Sequence, residues 1–165
     1  MAFFAKSQLT NYREQFGVFI HGSATTQPKS HADVDLDRGG VWVTTTLTQV
    51  IGACARGGDN PHIFIYPVTR ITDFSFDYDA MPDEAMIANV HKNDYVGALS
   101  LRNGEIAVTN ENYQECKKAL QALRTEIQDK IPRFCRGGGQ QSFGIATMVL
   151  AENIASLAQL VEGWN

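Results

Sequence analysis

Gly40-Val-Trp-Val-Thr-Thr-Thr46 runs straight into Leu47-Thr-Gln-Val-Ile-Gly-Ala-Cys-Ala-Arg56, and after Gly57-Gly58-Asp-Asn-Pro the chain continues as His62-Ile-Phe-Ile-Tyr-Pro-Val68. The first piece is rich in β-branched and aromatic residues, which suit a pleated, half-buried surface, so it reads as a strand. In the second, Leu47, Val50, Ile51 and Cys54 share one helical face, and the pattern stops at Gly57-Gly58. The third reads as another strand, with Pro67 marking an edge or a strand end because it donates nothing to a ladder. Upstream, Phe16-Gly-Val-Phe-Ile20 is a short apolar run, a buried-strand candidate that leads into His21-Gly22-Ser23. Downstream, residues 74–78 are a short extension and 83–91 a brief helix. Residues 95–101 and 105–109 read as a hairpin turning at Asn103-Gly104.

The second half turns helical. Tyr113, Cys116, Leu120, Leu123 and Ile127 step by three or four, one face of a helix. Asn112 with Glu115 forms a capping-box pattern at its start, and Pro132 is expected to stop it. Arg136-Gly-Gly-Gly139 is the one flexible joint. A second amphipathic helix is expected over 143–162 through Met148, Leu150, Ile154, Leu157 and Val161. Strands with short helices followed by two longer helices predict an α+β fold rather than a doubly wound parallel sheet.

Length and composition fit a single domain over 1–165. The chain has 165 residues, 44% apolar and 19% charged, which is ordinary for a folded domain and wrong for a disordered one. The net charge of −4 is spread evenly: residues 1–80 carry 6 basic and 8 acidic side chains, leaving 8 and 10 of the 14 and 18 for the rest. With no basic half or stripe, binding that rests on phosphate neutralisation is disfavoured, so nucleic acid is not the expected partner. No apolar run approaches the roughly 18 residues that span a bilayer, and the N-terminus lacks the pattern of a signal peptide. Cys54, Cys116 and Cys135 are odd in number and widely spaced, giving neither a disulfide framework nor a zinc spacing. A reducing cytosol is the expected site of action, including that of a host or rival cell after delivery by a secretion machine.

Three short constellations carry polar groups suited to chemistry. His21-Gly22-Ser23 offers an imidazole and a hydroxyl beside a residue that lets the backbone approach a ligand; the plainer reading is a strand leaving through a glycine turn. Thr44-Thr45-Thr46 ends a strand with three hydroxyls able to brace a carboxylate or a ribose; the plainer reading is β-propensity alone. Pro82-Asp83-Glu84 places a carboxylate where a helix dipole also favours one.

Taken together, these three segments resemble the ADP-ribosyltransferase toxin superfamily. A strand ending in three hydroxyls, a helix of about ten residues and then His-Ile-Phe-Ile-Tyr is similar to the catalytic subunits of the cholera and pertussis toxins. His21-Gly22-Ser23 is similar instead to the His-Gly-Ser/Thr of the diphtheria toxin and poly-ADP-ribose polymerase branch. The resemblance covers about residues 16–109, with 110–165 a helical extension outside it. It implies a split β-sheet core that binds NAD as substrate, without a metal, and transfers ADP-ribose to an acceptor macromolecule, a protein first. Glu84 then sits about twelve residues before Val96 and the next strand, the spacing of the catalytic Glu. It implies that Glu84 opposes the oxocarbenium-like sugar, that His21 bonds the NAD ribose, and that Thr44 holds Glu84. Gly22 and Ser23 would contact the cofactor, with Arg38 at the pyrophosphate, Thr45 and Thr46 lining the site, and Phe74 on the nicotinamide. Pro82 stands two before Glu84, where the family has Glu or Gln. That departure removes the usual determinant of an arginine acceptor and admits NAD hydrolysis as a side activity.

A second resemblance covers one stretch. Gly22-Ser23 followed by Asp33-Val-Asp35 looks like the signature of nucleotidyltransferases of the polymerase β superfamily, in which alternating carboxylates clamp Mg²⁺ for ATP and a third, here Asp77, completes the site. A non-catalytic interaction domain using the 143–162 helix face is the remaining alternative.

Overall fold

Gly17 ends a five-residue helix, α1 (Tyr12–Phe16), and releases the chain into β1 (Val18–Ser23), so the first strand starts two residues later than expected and carries His21-Gly22-Ser23 within it. The structure is a computed structural model. It describes residues 12–28, 40–45, 47–68, 74–76, 84–88, 94–109, 114–135, 141–142, 148–149 and 151–164. The remaining elements are β2 (Gly40–Thr44), α2 (Leu47–Cys54), β3 (His62–Pro67), β4 (Phe74–Phe76), β5 (Glu84–Ala88), β6 (Gly97–Ser100), β7 (Ile106–Val108), α3 (Gln114–Cys135), β8 (Gln141–Ser142), β9 (Met148–Val149) and α4 (Ala151–Glu162). The fold is α+β. Strands β1 to β7 form one sheet in the order β4-β5-β2-β1-β3-β6-β7, and every pairing is antiparallel.

Pairing is uneven across this sheet. β1 and β3 pair over six positions, Val18 opposite Pro67 through Ser23 opposite His62. β2 and β5 pair over five, Gly40 opposite Ala88 through Thr44 opposite Glu84. Between these halves, among the described residues, β1 meets β2 at one pair, Ile20 opposite Thr44. The sheet therefore has a seam between β1 and β2.

Four sequence expectations need correction. Residues 84–88 are a strand, not part of a helix. Glu-Ala-Met-Ile-Ala has fair helix propensity, but so short a helix gains little alone, whereas β5 has a ladder on both sides, β2 on one and β4 on the other. α3 runs three residues past Pro132 rather than stopping there; proline is compatible with a helical φ, and near a helix end it forfeits one hydrogen bond. The last helix is α4 alone, because Met148-Val149 pairs with Gln141-Ser142 instead of extending it. The first strand excludes Phe16, which ends α1. Pro67 marks a strand end, since β3 lies inside the sheet. The hairpin at Asn103-Gly104 forms as expected, with Leu99 opposite Ile106. Asn112 and residues 136–139 lie outside the described residues.

Alternation along the strands sorts the core into two layers. Val18, Ile20, Ile63, Ile65 and Leu99 pack with the apolar faces of α2, α3 and α4. Phe19, Val41, Val43, Phe64, Tyr66 and Ala98 form the layer on the other face, with Val68 and Tyr95 against it. A strand buried on both faces reads as a continuous apolar run, which is why 16–20 and 62–68 carry so few polar residues. Each of these large side chains contributes about 1.5–3 kcal/mol on burial.

A clamp fixes the end of α4 to the β6–β7 turn. Trp164 Nε1 donates to the Leu101 carbonyl at 2.9 Å, and Arg124 Nε donates to the Gly104 carbonyl at 3.0 Å. The Arg124 guanidinium lies 5.6 Å from the Trp164 ring centroid, a cation–π distance. Gly104 has φ +74°, and a Cβ there would come within 2.8 Å of the indole. Both the turn and the tryptophan therefore require glycine at this position.

Burial also raises two groups that titrate in the alkaline range. Loss of hydration pushes the Cys54 thiol up to about 12, against a smaller lowering by the Ser23 backbone. Burial likewise raises the Tyr66 phenol, with Tyr95 and Asp94 adding to the shift. The folded chain holds these protons after the unfolded chain has released them, so the stability they contribute is full below pH 9 and lost as pH rises towards 12. Thermal unfolding followed from pH 8 to 11 should show stability level up to about pH 9 and falling beyond it, more steeply above pH 10 where Tyr66 joins Cys54. A flat profile would contradict the burial of these two groups.

Candidate functional site

Four polar side chains are buried among the described residues: His21 (5% exposed), Ser23 (1%), Thr44 (4%) and Thr45 (7%). All four belong to the set picked out from the sequence, and all lie on β1 or at the end of β2, the two strands that flank the seam. Burying polar groups is costly unless each is hydrogen-bonded, so such a concentration needs a local reason.

His21 has one. Its Nδ1 lies 2.6 Å from the Trp42 carbonyl oxygen. A carbonyl only accepts, so Nδ1 carries the proton, and in the neutral ring Nε2 is the acceptor nitrogen. The imidazole reaches the backbone of β2 beside the single described β1–β2 pair. Its ring lies 6.3 Å from Phe64, its partner on β3.

Thr44 closes β2 with its backbone directly opposite Glu84, the first residue of β5. Thr45 follows, and its carbonyl accepts the Tyr12 N–H at 2.8 Å. The structure thus brings Thr44 and Glu84 to facing positions. His21 is out of their row: Ile20 is the residue opposite Thr44, so strand alternation puts the His21 ring on the other face of the sheet, beside Phe64, and the structure does not bring it to the Thr44–Glu84 pair.

Two expected contacts take on a structural explanation. The open side of Gly22 faces α2: a Cβ there would run into the Val50 carbonyl and lie 3.1 Å from Ala53 Cβ and 3.2 Å from Cys54 Sγ. Glycine is therefore required for α2 to lie on β1, whatever else its backbone does. Gly22→Ala should lower stability by about 1–3 kcal/mol, since overpacking against backbone cannot relax cheaply. A denaturant midpoint unchanged from wild type would show that α2 does not sit this close. Ser23 Oγ donates to the Gln27 carbonyl at 2.8 Å and accepts from the Thr25 N–H at 3.3 Å. Its hydroxyl is thus spent on its own turn.

Phe74 stands on β4 opposite Ile87, with β5 between it and β2. Arg38, Thr46, Asp33, Asp35, Asp77 and Pro82 lie outside the described residues. Among the described residues, no group of three or more His, Cys, Asp or Glu side chains is arranged to hold a metal ion. Sequence reasoning passed over His62, which lies opposite Ser23 and Ser100. Its Nδ1 donates to the Asn60 carbonyl at 2.8 Å, and its ring stacks on Phe64 at 5.7 Å and 14°. Phe64 is thus flanked by two histidines whose Nδ1 protons are tied to backbone carbonyls. The signal was parity: His62, Phe64 and Tyr66 share one face of β3.

Compared with protein-family models, curated proteins and solved structures, the chain matches none. Among the described residues no helix is long and apolar enough to cross a membrane.

Proposed function

We propose that the chain is a mono-ADP-ribosyltransferase that cleaves NAD at the nicotinamide glycosidic bond. The observation that carries this reading is the backbone register of Thr44 opposite Glu84 at the end of the β2–β5 ladder, the pair of residue types that the chemistry needs. The single-pair seam beside it agrees with a split sheet, and His21 stands at that seam.

In this reaction the C1′–N bond of the nicotinamide ribose breaks, and nicotinamide leaves neutral with the bonding electrons. The sugar becomes an oxocarbenium-like cation, which Glu84 opposes electrostatically. Thr44 holds the carboxylate on this reading, while His21, the ribose contact expected from the sequence, stands across the sheet from that pair beside Phe64. An acceptor nucleophile then bonds to C1′ and gives up its proton. A protein side chain is the first candidate acceptor, with water giving plain NAD hydrolysis. The enzyme would work in a cytosol, its own or that of a host or rival cell into which it is injected as a toxin or effector.

Ligand-dependent melting tests the reading. NAD without metal should raise Tm, by the equivalent of about 2.7 kcal/mol at 100 times its Kd. Nicotinamide release should persist in EDTA, and in the double variant Asp33→Asn, Asp35→Asn. Stabilisation by ATP only with Mg²⁺, lost in that variant, would replace this function by nucleotidyl transfer. No response to either ligand would favour a non-catalytic interaction domain.

A further inference from the structure

We propose that Tyr12 is a positioning residue for the Thr44–Glu84 pair, and that α3 is the frame against which it braces that pair; the proposal rests on the reading of these two residues as the reacting carboxylate and its holder. Tyr12 is fully buried and touches both sides of the connection. Its backbone N–H donates to the Thr45 carbonyl at 2.8 Å. Its hydroxyl donates to the Glu126 carboxylate on α3. The other Glu126 oxygen accepts from Lys130 Nζ at 2.7 Å, one helical turn on. Phe16 stacks on the Tyr12 ring at 5.7 Å and 28°, which fixes its plane.

The brace stands on the side of β2 where the sheet pairs least, opposite the five-pair ladder to β5. β1 holds β2 by a single pair, at Thr44 itself, so backbone pairing on that side does little to set where β2 ends. Only residues 45 and 46 separate β2 from α2. A grip on the Thr45 carbonyl therefore sets the position of Thr44. α3 is a firm anchor, since Cys116, Ala119, Leu120, Leu123, Ile127 and Ile131 are all buried in the core beneath it. A buried phenol bonded to a carboxylate is a charge-assisted, directional link, stronger than a neutral hydrogen bond. On this proposal the helical part beyond residue 110, which the family resemblance does not cover, sets the geometry of the site.

Tyr12→Phe tests it, because the ring and its packing remain while the hydroxyl is lost. Amide hydrogen exchange should quicken about tenfold or more at 43–45 and 84–86, as expected for losing a hydrogen bond to a charged group, and stay unchanged at 97–100. The kcat for NAD cleavage should fall about tenfold with KM unchanged. Thr44→Ala should add little to that loss in the Tyr12→Phe background, since coupled residues are not additive. Glu126→Gln keeps an acceptor for the phenol and should stay near wild type, whereas Glu126→Leu should reproduce Tyr12→Phe. Faster exchange throughout the sheet, or none, would overturn the proposal, as would local quickening with unchanged kcat. If the protein proves not to cleave NAD, the exchange pattern still decides whether Tyr12 braces Thr44 and Glu84, and only the proposed reaction falls.

Discussion

Glu84→Gln is expected to abolish NAD cleavage while leaving the melting temperature close to that of wild type. Glutamine is nearly isosteric with glutamate and keeps a carbonyl oxygen, but it carries no charge to set against the oxocarbenium ion. Removing one well-placed electrostatic group costs on the order of 10²–10³ in rate. The fold should tolerate the change because Glu84 opens β5, whose backbone pairs with both β2 and β4 whatever the side chain. Nicotinamide release measured under saturating NAD, beside a thermal scan, separates the two effects. Full activity in the variant would remove Glu84 from the mechanism. Loss of activity together with a large fall in Tm would mean that its role is structural.

Trp164→Ala is expected to be the most destabilising single change outside the site. The side chain is 6% exposed, and its indole N–H is bonded to Leu101. Truncating a buried tryptophan costs about 3–5 kcal/mol. Here the loss also leaves the Leu101 carbonyl without its donor and Arg124 without its aromatic partner. For a chain of this size Tm should fall by about 10 °C. Trp164→Phe should cost less, because the ring still packs and only the hydrogen bond goes. If alanine and phenylalanine prove equally mild in denaturant melts, the clamp between α4 and the β6–β7 turn is not a source of stability.

The elements that were legible in the sequence are those with a local cause. Alternating and continuous apolar runs mark β1, β2 and β3, the period of Leu47, Val50, Ile51 and Cys54 marks α2, and Asn103-Gly104 marks the hairpin. β5 was misread because its evidence is not local. Nothing within Glu-Ala-Met-Ile-Ala announces a strand; two neighbours supplied by residues 40–44 and 74–76 make it one. Strand order is unreadable for the same reason, since β1 lies beside β2 and β3 but β2 lies beside β5. At the site, residue types were legible while commitments were not. Ser23 carries the right hydroxyl, yet its own turn takes it, and Gly22 is fixed by a helix thirty residues on. His62 shows the reverse: a residue of plain appearance whose ring orientation only the fold reveals.

The seam between β1 and β2 has a topological side. The chain crosses it between β1 and β2, between β2 and β3 through α2, between β3 and β4, and between β5 and β6. The line with the least backbone pairing is therefore the line with the most covalent tethers. The two half-sheets are thus held together there by the covalent path of the chain where backbone pairing is sparse. His21 adds a non-covalent tie to these tethers, its Nδ1 donating to the Trp42 carbonyl from one half-sheet to the other.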